Sequence, residues 1–135
     1  MNATNKDGLA IVKRISDNKY NFIDANGNEQ VFYRLDNFKD GLARVQRANG
    51  DWNFIGEDCK LLSNEWFKYV DYFKNRIARV QRGDKKCNYI NKKGKIISDE
   101  WFNRVFEFKD GYANVERTNG EMCKIDKQGK IVICK

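Results

Sequence analysis

The sequence predicts an all-β protein built from four tandem units of about 35 residues, each a three-stranded antiparallel meander. Three observations predict it. The segments FKDGLARVQR from Phe38, FKNRIARVQR from Phe73 and FKDGYANVER from Phe108 superimpose without a gap at a spacing of 35. Within each copy the apolar residues recur with a period of two, the signature of a strand with two unlike faces. Asp-Gly, Asn-Gly and Lys-x-Gly breaks then supply the positive-φ positions that tight hairpins require.

The elements follow in order. KDGLAIVKR from Lys6 is an earlier copy, 33 residues before its partner. In LARVQR, Ala43 and Val45 point one way while Leu42, Arg44 and Gln46 point the other. A second strand follows as YNFI (20–23), WNFI (52–55), CNYI (87–90) and MCKI (122–125). Turn-like stretches come next: DANGN (24–28), GEDCK (56–60), NKKGK (91–95) and DKQGK (126–130). Each leads to an apolar pair or trio, Leu61-Leu62, Ile96-Ile97 or Ile131-Val132-Ile133, except in the first copy, where Asn28-Glu29-Gln30 is polar. The joints SNEWFKYVDYFK (63–74) and SDEWFNRVFEFK (98–109) also match. Trp66, Val70 and Phe73 permit a helical turn there, but an extended aromatic connector is the preferred reading. A meander of this kind cannot bury both faces alone, so the units stack. They form either an open array or one curled on itself like a propeller.

The pattern F-x-D-G-x-A-x-V, a short turn, W-x-[FY]-I, then G-K-I-[IV] resembles the WG-repeat family of bacterial tandem repeats, over residues 6 to 133. Phe38, Asp40, Gly41, Ala43, Val45, Trp52, Phe54 and Ile55 carry it in one copy, and Phe108, Asp110, Gly111, Ala113, Val115, Ile125, Gly129 and Ile131 in another. The Trp-Gly pair that names the family reads Trp52-Asn53, Tyr20-Asn21, Cys87-Asn88 and Met122-Cys123, and the chain has no proline. The resemblance implies a β-rich binding scaffold, mostly without known enzymatic activity.

The 135 residues suit one repeat domain, with units near 1–37, 38–72, 73–107 and 108–135. Hydrophobic content of 41% is enough for a core. No apolar run approaches the ~20 residues of a membrane span, and no apolar stretch follows a basic start at the N-terminus, so a cytoplasmic protein is expected. Cys59, Cys87, Cys123 and Cys134 form no close-spaced pair and there is no histidine, so no metal or other cofactor is expected. The four are read as small buried thiols, with disulfides only in an exported protein.

Histidine is the commonest general base, and its absence argues against an enzyme. No nucleophile elbow, P-loop or dinucleotide fingerprint is present either. The net charge of +7 concentrates in residues 73–107, which hold ten basic and four acidic residues. Lys85, Lys86, Lys92, Lys93 and Lys95, with Arg79, read either as a solubilising surface or as a field for an acidic protein or nucleic acid. Arg14, Arg47, Arg82 and Arg117 fill one slot in all four copies, which argues for stacking on an aromatic ring or pairing with a turn carboxylate such as Asp40 or Asp110. Trp66 and Trp101 recur in the joints and read as packing residues. Beside them Phe67, Tyr69, Tyr72 and Phe102 form the best candidate partner-facing surface. The expected function is a non-enzymatic module that binds a protein partner through these aromatic and basic residues. Its alternative is a basic module that binds nucleic acid or a nucleic-acid-handling complex, as a small inhibitor; sugar stacking on tryptophan is a distant third.

Overall fold

The structure, a computed structural model, describes the backbone of residues 3–4, 10–16, 19–23 and 29–135 and the side chains of residues 31–135. Among them every regular element is a strand, grouped in four successive antiparallel sheets. The first contains β1 (Ala3–Thr4), β2 (Ala10–Ser16), β3 (Lys19–Ile23) and β4 (Glu29–Phe32). The second contains β5 (Arg34–Leu35), β6 (Leu42–Gln46) and β7 (Trp52–Gly56). The third contains β8 (Tyr69–Val70), β9 (Ile77–Gln81) and β10 (Cys87–Asn91). The fourth contains β11 (Arg104–Val105), β12 (Tyr112–Glu116), β13 (Met122–Asp126) and β14 (Ile131–Cys134). The chain divides into two compact units, Met1–Trp66 and Phe67–Lys135. Residues 5–9 of the earliest copy, the side chain of Arg14 and those of the polar 28–30 stretch lie outside the described residues.

The period-two runs become hairpins in one repeated register. Leu42 faces Gly56 and Gln46 faces Trp52; Ile77 faces Asn91 and Gln81 faces Cys87; Tyr112 faces Asp126 and Glu116 faces Met122. A two-residue turn precedes each, closed by Lys39 with Leu42, Lys74 with Ile77 and Lys109 with Tyr112. Both central residues have positive φ: Asp40 at 54° and Gly41 at 82°, Asn75 at 54° and Arg76 at 68°, Asp110 at 55° and Gly111 at 87°. These angles are those of the type I′ turn, whose twist matches the strands. Arg76 therefore occupies a slot that two sister copies give to glycine. The apolar pairs, expected as each unit's third strand, form one only in the last copy, while the stretch before each hairpin adds the short β5, β8 and β11. Leu61 bridges Ile55, Ile96 bridges Ile90, and in the last copy the contact lengthens into β14.

Each unit has its own core. Phe32, Ala43, Val45, Ile55 and Cys59 form that of the first. In the second, Ile77 and Tyr89 of the third sheet join Ala113, Val115, Cys123 and Ile125 of the fourth, with Phe102 and Ile97 between. The third copy's outward face thus lies on the inward face of the fourth.

The joints are extended rather than helical. What fixes them is an asparagine that alternation alone assigns to a plain strand position. Asn53 and Asn88 are fully buried. The Asn88 amide nitrogen donates to the carbonyls of Ser98 (2.9 Å) and Glu100 (3.1 Å), while its oxygen accepts from Tyr89 N–H at 2.8 Å. Asn53 does the same with Ser63, Glu65 and Phe54. Ser63 and Ser98 hydroxyls then accept from Glu65 and Glu100 N–H, tightening the bend. Burying an amide is favourable only when its hydrogen bonds are made, and here all are.

The last copy has Cys123 in the asparagine slot. It lies opposite Cys134 on β14, and the two form a disulfide. The reading of four small buried thiols is corrected at these two positions: a residue facing Cys134 across a strand pair is within bonding reach despite a sequence separation of 11. Cys59, buried, and Cys87, half-buried, lie outside any disulfide. The repeated arginine has the stacking role expected of it. Arg47 lies 4.4 Å over Trp66 and Arg82 lies 3.9 Å over Trp101. Their carboxylate partners are Asp51 and Asp84 of the adjacent hairpin turns. Arg117 pairs with Glu100 and Glu121.

Three outcomes follow for stability. Asn88→Ala strands two buried carbonyls and an N–H, and is expected to lower unfolding free energy by about 2–3 kcal/mol in urea titration. Arg76→Gly relieves a left-handed residue and is expected to raise it by about 1 kcal/mol in the same assay. Reduction of Cys123–Cys134 by dithiothreitol is expected to cost about 3 kcal/mol by loop entropy, read as a lower melting temperature that Cys123→Ser/Cys134→Ser reproduces without reductant.

Candidate functional site

The second unit brings its unusual groups to the β8 side of the third sheet. β8 is only two residues long, after which the chain turns along β9 with Asp71 N–H donating to Arg79 C=O at 2.9 Å. That register sets the Asp71 carboxylate against the Arg79 guanidinium. Oδ2 accepts from Nη2 at 2.6 Å and from Nε at 3.1 Å, and Oδ1 accepts from Tyr72 N–H at 2.8 Å. The arginine is therefore held edge-on with both its position and plane fixed. The pair is partly open to water, with 37% of the Arg79 side chain and 27% of the Asp71 side chain exposed. Asp36 and Arg44 form the same pair one copy earlier, at 2.7 Å and more deeply buried. The fourth sheet has Phe106 and Asn114 at these positions and no such pair.

A tyrosine flanks the pair on either side, each nearly half exposed: Tyr69 at 47% and Tyr72 at 46%. Tyr72 borders a narrow cleft of about 30 Å³ whose floor is Tyr89 and Phe108. Tyr69 borders a wider one of about 300 Å³, with Cys87 and Val105. Tyr89 is fully buried, donates its hydroxyl proton to Phe106 C=O, and sets its ring edge-on to Phe108 at 4.8 Å. Burial pushes its phenol well above the ordinary range, so it stays protonated and structural. Burial likewise raises the Cys87 thiol above its usual value, which keeps it a thiol at neutral pH. Lys74 and Glu107 pair at 3.3 Å across the rim.

The candidate residues from sequence divide sharply. Phe67 and Phe102 are 0% exposed and belong to the core; Phe102 pairs its backbone with Cys87. The joint's outward aromatics are Tyr69 and Tyr72 alone of the four. Arg79 is part of the ion pair. Lys85 and Lys86 lie in the turn between β9 and β10, whereas Lys92, Lys93 and Lys95 lie in the turn beyond β10. A strand separates the two groups by roughly 20 Å, on a rise of about 3.3 Å per residue. That exceeds the screening length of about 8 Å at physiological salt, so they act as two weak patches and not as one field. Lys86 is further engaged by Asn103 at 2.6 Å. Asp71 was not singled out by sequence, although the eight-residue spacing of Asp36 to Arg44 recurs in Asp71 to Arg79.

Among the described residues one cysteine–carboxylate grouping is close enough to hold a metal ion, Glu121 with Cys123 and Cys134. Both sulfurs are committed to the disulfide, which removes them as thiolate ligands. That bond persists in oxidising surroundings, which the expected cytoplasmic setting does not supply. No described helix is long and apolar enough to cross a membrane.

No protein-family model matches the chain, and no curated protein matches its sequence. Among solved structures the chain is similar to the computationally designed Ika8 protein, at 14% identity and a TM-score of 0.44, covering 96% of this chain and 46% of that one. It is similar to BamB from Moraxella catarrhalis at 11% identity and a TM-score of 0.45, covering 88% and 44%. It is also similar to the WD40 β-propeller domain of Doa1 at 12% identity and a TM-score of 0.39, covering 98% and 53%. The chain thus spans about half the length of these structures.

Proposed function

We propose that this chain is a non-enzymatic β-repeat scaffold that holds a protein partner at the β8 side of its third sheet. The observation that carries the reading is the placement of two half-exposed tyrosines around an edge-locked arginine. Tyrosine and arginine are enriched among the residues that dominate binding energy at protein interfaces, and tyrosine offers its large contact surface at small entropic cost. Here the hydrogen bonds to Asp71 have already frozen the guanidinium, so a partner loses less freedom on docking there. Lys74 and Glu107 provide a charged rim, as interfaces commonly have. The nucleic-acid alternative loses ground because β10 separates the lysines that would have to act together.

Capture from the native host followed by quantitative mass spectrometry tests this. Tyr69→Ala/Tyr72→Ala is expected to deplete the recovered protein at least tenfold while circular dichroism and melting stay those of the parent. Lys85→Glu/Lys86→Glu/Lys92→Glu/Lys93→Glu is expected to leave recovery within threefold. Recovery that tracks the lysines and falls steeply with salt, while ignoring the tyrosines, gives the site to nucleic acid or its handlers.

A further inference from the structure

The two Asp–Arg pairs differ in what lies over them. In the second sheet Trp52 covers the pair: its ring is 4.8 Å from the Arg44 guanidinium carbon, and it is only 8% exposed. Thirty-five residues on, Asp36 recurs as Asp71, Arg44 as Arg79 and Gln46 as Gln81. Trp52 does not recur. Cys87 stands in its register position, opposite Gln81 as Trp52 is opposite Gln46. A thiol replaces an indole, and beside it lies the open cavity of about 300 Å³, lined by Tyr69, Asp71, Arg79, Gln81, Cys87 and Val105. A cavity of about 150 Å³ already accepts benzene, so a bicyclic ring has room here.

We infer that this notch receives a planar aromatic side chain of the protein partner, tryptophan above all, which stacks on Arg79 as Trp52 stacks on Arg44. The inference rests on the scaffold reading and names its anchor. Chemistry selects the occupant. Asp71 binds the guanidinium along its edge, through Nε and Nη2; the positive face is what an incoming group meets. The face of an aromatic ring carries negative charge density and is attracted to that cation. An incoming carboxylate would meet Asp71 as well and be repelled, and an aliphatic chain would gain burial only. Tyr69 and Val105 form apolar walls for the ring, and Gln81 gives an amide for an indole N–H. Burial that holds the Cys87 thiol protonated is in keeping with a poorly hydrated floor.

The test uses the full chain and N-acetyltryptophanamide as probe. In NMR titration the probe is expected to shift Arg79 Nε–H and the Gln81 amide saturably, in the millimolar range usual for a small fragment. It is also expected to slow alkylation of Cys87 by iodoacetamide. Cys87→Trp restores the residue used one copy earlier and fills the notch from within. That variant is expected to fold, to lose probe binding, and to weaken capture of the partner at least tenfold. Probe titrations that leave Arg79 and Cys87 unmoved overturn the inference, as does a Cys87→Trp protein that binds probe or partner like the parent. If Cys87→Trp does not fold, Arg79→Lys keeps the charge and loses the planar face. Probe binding weakened at least threefold in that variant supports the notch, and unchanged binding overturns it. Failure of the Tyr69→Ala/Tyr72→Ala capture experiment, by contrast, bears on the scaffold reading alone, because the probe arm requires no partner.

Discussion

A meander of three or four strands has two faces, and water is a poor cover for either when both are apolar. In the second unit the third sheet meets this constraint with the fourth. Ile77 and Tyr89 are buried against Ala113, Val115 and Ile125, and burying such side chains contributes about 1.5–3 kcal/mol each. The same three outward positions of the fourth sheet read Tyr112, Asn114 and Lys124 where the third has Ile77, Arg79 and Tyr89. All three are exposed. Lysine replaces a fully buried tyrosine here, so this face of the fourth sheet is more polar than that of the third.

Once the faces are covered, the joints decide where each sheet starts. They are held by one amide per copy, and this is where the sequence was hardest to read. Asparagine is depleted in strand interiors and usually signals a turn. Asn53 and Asn88 between large apolar neighbours looked like ordinary alternation. Their recurrence at a spacing of 35 was the available signal, since a surface polar residue has no reason to recur. Cys123 at the third such position hid the disulfide for the same reason. Its partner is found only when β14 is paired with β13, and pairing register is a tertiary property. By contrast, the hairpins, a structural role for the repeated arginine, and the extended joints were legible. Each depends on local periodicity or turn chemistry, which the chain states explicitly.

The site was legible in part. Tyr69 and Tyr72 are outward, but Phe67 and Phe102 are not. Bends at residues 63–65 and 98–100 reset the alternation before the aromatic cluster, so period two cannot be carried across them. Lys85-Lys86 and Lys92-Lys93 are close in sequence, yet β10 runs between them and puts them at opposite ends of a strand.

Where copies agree, the shared residue serves the architecture; where one copy departs at a cost, something else is being selected. The third copy departs in three such places. Gly50 and Gly120 have φ of 96° and 89°, whereas Lys85 between them sits at 71°. Arg76 replaces the glycine of its sister turns in the same way. A side chain in the left-handed region costs about 1–2 kcal/mol, and glycine is plainly available to this chain. Cys87 in place of Trp52 adds a third loss, since a ring's worth of packing is gone. Backbone strain and missing packing gather around β9 and β10, beside the two exposed tyrosines. A scaffold selected for stability alone would have kept all three copies alike. That the least stable choices flank the most contact-ready surface is the strongest reason to look for the partner there.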